Sequence, residues 1–280
     1  MITKRSARAS LAEETLRLIE QGGYTSSSGK SVDLAVSVSR SVRDTVGIAP
    51  EETLEVARTS EVKGVIEVTS ESTLQALIRL QGEDAPGLAC LNFASAKNAG
   101  GGFLGGSQAQ EESLARSSAL YPSLTSVPQY YEANRACRSS LYTDWMIWSP
   151  EVPFFRDDEG SLLDVPVLAS VITAPAPNAG AVAKNRPDEL PLVEPTLQRR
   201  AERVLQLAAS RGVKTFVLGA WGCGVFRNDP SMVASVFADL VREGAAFANV
   251  FPRLVFAIYD TTSTGEVLTA FKTTLLQTSS

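Results

Sequence analysis

The 280-residue chain contains no histidine. That absence removes Ser-His and Cys-His nucleophilic catalysis, imidazole proton shuttles and His-ligated zinc together. Any acid–base chemistry falls to carboxylates. Cysteine is scarce: Cys90, Cys137 and Cys223 are the three present, an odd number with no C-x-x-C pair. This usage argues against a disulfide framework and for free thiols in a reducing, cytoplasmic setting. The start, Met1-Ile2-Thr3-Lys4-Arg5-Ser6, leads into a polar helical pattern, so no signal peptide is expected. No apolar run approaches the roughly 18 residues needed to cross a bilayer, and no membrane partner is expected. An excess of basic residues is missing as well: 26 Lys and Arg face 31 Asp and Glu, a net charge of −5. A general nucleic-acid binder carries the opposite balance, so direct DNA binding is not expected. An anionic ligand must then be gripped locally, by backbone amides and a few arginines. The phosphate-binding signature G-x-x-x-x-G-K-[ST] does not occur.

Glycine, by contrast, is concentrated. Five of the nine residues from Gly100 to Gln108 are glycine. A globular protein carries that entropic cost where the backbone must bend sharply or approach a ligand. Glycine-rich loops feeding a helix N-terminus present N–H groups to oxyanions such as phosphate. Ser107 and Gln110 have the spacing of a capping box, which predicts a helix beginning at Ser107 with Gln110, Glu111 and Glu112 in or near its first turn. First-turn acids are ordinary, since the helix dipole favours them; the glycine loop before them has no such excuse. A second loop, Gly219-Ala220-Trp221-Gly222-Cys223-Gly224-Val225-Phe226, also joins a buried strand to a helix. Two such loops in one α/β sheet face a common crevice and suit a diphosphate. Gly100-x-Gly102-x-x-Gly105 matches the dinucleotide fingerprint, but it stands four residues from its strand and lacks the acidic residue about 20 positions on. A nicotinamide dehydrogenase therefore ranks low.

Along the chain, Ser6 to Gln21 reads as an amphipathic helix stopped by Gly22-Gly23. Tyr24 to Ser31 reads as a polar turn, and Val32 to Val46 as a helix, or a strand followed by a helix. Strands are predicted at 64–69, 87–94, 165–173, 214–218 and 253–259, with shorter ones around Met146–Trp148 and Val152–Phe155. Helices are predicted at 72–81, from Ser107, over 128–142, at 196–211, from the Asp229-Pro230 cap, and at 266–276. An irregular stretch is expected from Ala174 to about Pro195. Alternating apolar strands and helices define an α/β layered fold with a mixed or parallel sheet. Residues 1–60 read as a mostly helical extension, and 61–280 as the α/β domain.

At these residues the sequence resembles the poly(ADP-ribose) glycohydrolases, especially their compact bacterial type. The signature is Gly100-Gly101-Gly102, seven intervening residues, then Gln110-Glu111-Glu112. The likeness extends to Leu91-Asn92-Phe93-Ala94-Ser95, to Ser113–Ser118, to Val171–Asn178 and to the second loop. The resemblance implies a macrodomain-like three-layer α/β/α fold with a mixed central sheet, binding ADP-ribose in a crest cleft. It implies Glu112 as the catalytic acid, with Glu111 and Asn98 on the hydroxyls of the ribose being cleaved. Gly100, Gly101 and Gly102 line the diphosphate from one side, beside Gln110. Gly222, Cys223, Gly224, Val225 and Phe226 wrap it from the other, with Phe226 near the distal ribose. Tyr259 is placed against adenine, or is simply a half-buried strand-end residue. The implied partner is poly(ADP-ribose), cut preferentially at chain ends, with no metal and no cofactor. The alternative is a macrodomain that reads ADP-ribose without cutting; an intact Glu111-Glu112 pair favours hydrolysis. The chemistry suits the residues: neighbouring acids on one helix start cannot straddle a sugar as paired glycosidase carboxylates do, so one acts as acid and base while the other binds hydroxyls.

Overall fold

A computed structural model describes residues 4–55 and 63–276. The chain opens with α1 (Lys4–Gln21), ended by Gly22 at φ +75°. A short antiparallel hairpin follows, β1 (Gly23–Thr25) and β2 (Ser31–Asp33), where only a polar turn was expected. Tyr24 and Val32 pair across it and are buried with Leu18 and Phe155, which fixes a hairpin too short to stand alone. The 32–46 region resolves as strand then helix, α2 (Ala35–Asp44), and runs straight into β3 (Val46–Ile48).

Seven strands form the central sheet in the order β3-β6-β7-β5-β8-β9-β4. The further strands are β4 (Val65–Thr69), β5 (Leu88–Phe93), β6 (Met146–Arg156), β7 (Leu162–Ala174), β8 (Thr215–Leu218) and β9 (Arg253–Ala257). The five from β7 to β4 are mutually parallel, and β6 and β3 add antiparallel edges. The two short strands expected over 146–155 are one long strand. A register shift between Ser149 and Val152, with Glu151 at φ +45°, carries it past Pro150.

Helices cover both faces. On one lie α8 (Val193–Ser210), α9 (Pro230–Val241) and α10 (Glu266–Leu276), packed through Leu197, Leu205, Phe237 and Phe271 onto Leu91, Ile172, Phe216 and Phe256. The other face takes α3 (Thr73–Gly82), α4 (Gln110–Ser117), α5 (Leu120–Thr125) and α6 (Pro128–Ala136), over Cys90, Val171, Val217 and Val255. The result is the three-layer, macrodomain-like arrangement. A seven-residue helix, α7 (Ala179–Asn185), and a 3-10 stretch at Pro187–Leu192 fill the segment expected to be irregular. Asn178 starts that helix by accepting from the Ala181 N–H at 2.9 Å.

The N-terminal region joins this body closely: β3 is an edge strand of the main sheet, in register with Ile147 at Gly47. The boundary expected at residue 60 falls outside the described residues.

Candidate active site

Parallel pairing sets the carboxyl ends of β5, β7, β8 and β9 on one edge of the sheet. Both glycine loops leave from that edge, after Phe93 and after Leu218 on neighbouring strands. They touch at their roots: a Cβ on Gly219 would lie 3.0 Å from the Phe93 ring and 2.6 Å from the Ala257 carbonyl. This is the crest crevice that a switch in strand order creates.

The first loop folds back on itself through a 3-10 turn at Phe103–Gly105. Gly101 donates to the Asn98 carbonyl at 3.0 Å, and Gly105 and Ser107 donate to the Gly102 carbonyl at 3.0 and 3.1 Å. Gly100 and Gly101 have φ of +67° and +58°, a region costly for any residue with a side chain. Space excludes one too. A Cβ on Gly101 would lie 2.5 Å from Glu112 Oε1 and 3.2 Å from Glu111 Oε2, and one on Gly102 would lie 2.5 Å from Ser107 Oγ. The two carboxylates therefore converge on the Gly101 backbone.

The helix start differs from the expected capping box. Ser107 is spent inside the loop, packed on Gly102, and α4 begins three residues later with Ala109 as its cap. Ala109 carries no capping oxygen, so the helix start has no side-chain cap among the described residues. Gln110 turns inward: it accepts from the Phe93 N–H at 2.9 Å and donates to the Leu91 carbonyl at 2.8 Å and Thr73 Oγ1 at 3.1 Å. Its amide, expected beside the ligand, bolts α4 to β5.

Glu111 is buried. Its Oε2 accepts from the Ser95 N–H at 2.7 Å, and its Oε1 from Asn92 Nδ2 at 3.2 Å. Burial pushes its carboxyl up to about 8; the Ser95 and Asn92 donors pull the other way, and the neighbouring Glu112 adds to the rise. Glu112 is half-buried, and its Oε1 accepts from the Gly102 N–H at 3.0 Å. Asn98 is exposed beside them, its backbone used in the loop and its amide free of described partners.

Across the crevice, Gly222 at φ +75° presses against Asn228 and Ala176, where a Cβ would lie 2.3 and 2.7 Å away. Trp221 is fully buried and donates to the Ala174 carbonyl at 3.2 Å. Gly224 is open and Val225 is 77% exposed, so this stretch offers backbone to the crevice. Burial raises the half-covered Cys223 thiol to about 12, with Asp229 contributing. The Phe226 ring lies 6.0 Å from that of Tyr142. Tyr142 is held from beneath by Arg200, which is fully buried and donates to Asp144 Oδ1 at 2.9 Å, the Pro175 carbonyl at 2.6 Å and the Leu141 carbonyl at 3.0 Å. Tyr259, just past β9, is 71% exposed on the same crest.

Several supporting residues escaped the sequence reading. Asn92 was visible as a lone amide in an apolar strand. Arg116 left no signal: it is buried on α4, one turn beyond Glu112, and donates to the Ser107 carbonyl at 2.7 Å and to Gln108 Oε1.

A mixed α/β sheet with two glycine-rich loops at its crest and a convergent carboxylate pair between them defines a macrodomain-like protein. Residues 12–157 match the family described as microbial-type PARG, catalytic domain, and the chain belongs to that family of poly(ADP-ribose) glycohydrolases. The chain is similar to the crystal structure of the Thermomonospora curvata glycohydrolase, with 45% identity over 96% of this chain and 99% of that one and a TM-score of 0.91. The same protein bound to the inhibitor ADP-HPD aligns with a TM-score of 0.89 at 45% identity, over 96% of this chain and 99% of that one. The Deinococcus radiodurans glycohydrolase in complex with ADP-ribose aligns at 50% identity over 85% of this chain and 96% of that one, with a TM-score of 0.80. Comparison with curated proteins gives no match.

Proposed function

We propose that this chain hydrolyses the ribose–ribose O-glycosidic bond of poly(ADP-ribose), releases ADP-ribose from chain ends, and uses Glu112 as acid and then base. The observation that carries the reading is the Gly101 peptide, crowded by both carboxylates while the next N–H fixes Glu112. An acid held at the lip of an amide-lined loop is wasted on a protein that only binds.

The diphosphate lies along the Gly100–Gly102 backbone and is closed in by Gly222–Phe226, with Asn98 and Glu111 on the hydroxyls of the ribose to be cut. Glu111 keeps its proton below about pH 8, so it can donate to a ribose oxygen. Glu112 gives its proton to the departing ribose oxygen as the C–O bond breaks. The anomeric carbon passes through an oxocarbenium-like state, stabilised by the nearby diphosphate. Water then attacks that carbon, and Glu112 takes back a proton from it. Tyr259 stacks on adenine at the far end of the cleft.

Chromatography of products from poly(ADP-ribose) tests this. The wild-type protein is expected to accumulate ADP-ribose from the outset, without oligomeric intermediates. Glu112→Gln is expected to lose at least about 100-fold in kcat while keeping ADP-ribose affinity within about tenfold, about 1.4 kcal/mol. Wild-type turnover in Glu112→Gln, or binding without release by the wild type, rejects the assignment.

A further inference from the structure

We propose that Arg5 and Arg8, on the first helix, are positioning residues for Glu112; the idea rests on the hydrolase reading above. Both precede the segment matched by the family model, which begins at residue 12. Arg5 Nε donates to the Gly105 carbonyl at 2.8 Å, and Arg8 Nε donates to the Gly106 carbonyl at 2.8 Å. From Gly105 the route continues without a gap. The Gly105 N–H donates to the Gly102 carbonyl at 3.0 Å, and the Gly102 N–H donates to Glu112 Oε1 at 3.0 Å. Three successive hydrogen bonds thus connect a guanidinium on α1 to the oxygen of the acid.

The helix is seated on the loop by shape as well as by hydrogen bonds. Gly106 has φ +71°, and a Cβ there would lie 2.0 Å from the Arg5 carbonyl oxygen. Ala12 is fully buried against Phe103 from the loop and Ala115 from α4. Thr15 Oγ1 donates to the Arg116 carbonyl at 2.6 Å, near the end of α4. One element therefore grips both sides of the segment that carries Glu112.

A loop so rich in glycine needs such a brace. Glycine surrenders more backbone freedom on ordering than any other residue, and acid catalysis depends on placement to within a fraction of an ångström. The loop's own backbone bonds close only short turns between residues 98 and 107. The two arginines tie those turns to a helix that is anchored elsewhere, through Leu18 to the hairpin and Phe155. Loosening the brace lets the Gly102 N–H and Glu112 wander, and the reaction rate falls. The second loop, Gly222–Phe226, is untouched by the change and still closes on the diphosphate, so affinity falls far less than the rate.

The test uses the full chain carrying Arg5→Ala and Arg8→Ala together. We expect kcat on poly(ADP-ribose) to fall about 10- to 100-fold. KM, the ADP-ribose dissociation constant and the melting temperature should stay close to wild type, with both constants within about fivefold. Replacement of the same pair by lysine, which retains a cationic donor able to reach a carbonyl, should restore most of kcat. Should the double variant fail to fold, Arg5→Ala at its exposed position carries the same comparison. An unchanged kcat beside an active wild type overturns the inference alone. So does a joint fall of kcat, affinity and melting temperature that lysine does not reverse, since that marks a general structural role. A wild-type protein that releases no ADP-ribose overturns the hydrolase reading itself.

Discussion

A buried carboxyl that keeps its proton near neutrality leaves a mark on stability. An unfolded chain releases the Glu111 proton near pH 4.3, whereas the folded protein holds it up to about pH 8. Between those values the folded state binds more protons than the unfolded one, so the contribution of Glu111 is complete below the lower value and is lost as pH rises through the upper. The melting temperature of the ligand-free protein should therefore decline from about pH 5 to pH 8 more steeply than that of Glu111→Gln, which has nothing to ionise. Equal slopes in the two proteins would show that the Ser95 and Asn92 donors outweigh burial and that Glu111 is already ionised. With no histidine in the chain, imidazole titration does not blur the comparison.

Among elements, the Gly100–Gly102 turn carries the sharpest demand. Gly101→Ala meets a disfavoured backbone region and a carboxylate oxygen 2.5 Å away. The side chain that yields is Glu112, so kcat should fall about 100-fold or more, in excess of any loss of ADP-ribose affinity; full activity in that variant would refute the convergence on this peptide. This element was legible because its glycines and acids are contiguous in the chain. Its true cap was not: Ser107-x-x-Gln110 and Ser72-x-x-Gln75 carry the same pattern, yet only Ser72 caps its helix, accepting from the Gln75 N–H at 3.0 Å. Spacing identifies a candidate cap, and the tertiary contacts of Gly102 and β5 decide whether it is used. The β1–β2 hairpin and the long β6 escaped for a related reason. Three-residue strands have too little periodicity to register, and the Pro150 interruption hid a continuous strand behind a bulge.

For the molecule as a whole, the acidic balance bears on how a polyanion is held. With a net charge of −5, binding is expected to rest on oriented amides and a small number of cations, displacing few counterions. KM for poly(ADP-ribose) should rise only gently with salt, with a log–log slope of about 2 or less, given about 0.7 per neutralised phosphate on a single strand. A slope several times larger would reveal an extended basic track. Layering was readable from alternation, since buried parallel strands are apolar throughout; the order of the strands was not. The intimate fit of the N-terminal region was not, because contacts such as Arg5 with Gly105 span 100 positions of chain.

The fully buried Arg200 guanidinium reaches two separate crossovers at once: the 141–144 turn that supports Tyr142, and Pro175 at the exit of β7. Neither can lift away without stranding that cation from an acceptor in the interior. The floor beneath Phe226 therefore opens as one cooperative unit, and backbone amides in both crossovers should exchange with deuterium at a shared, slow rate.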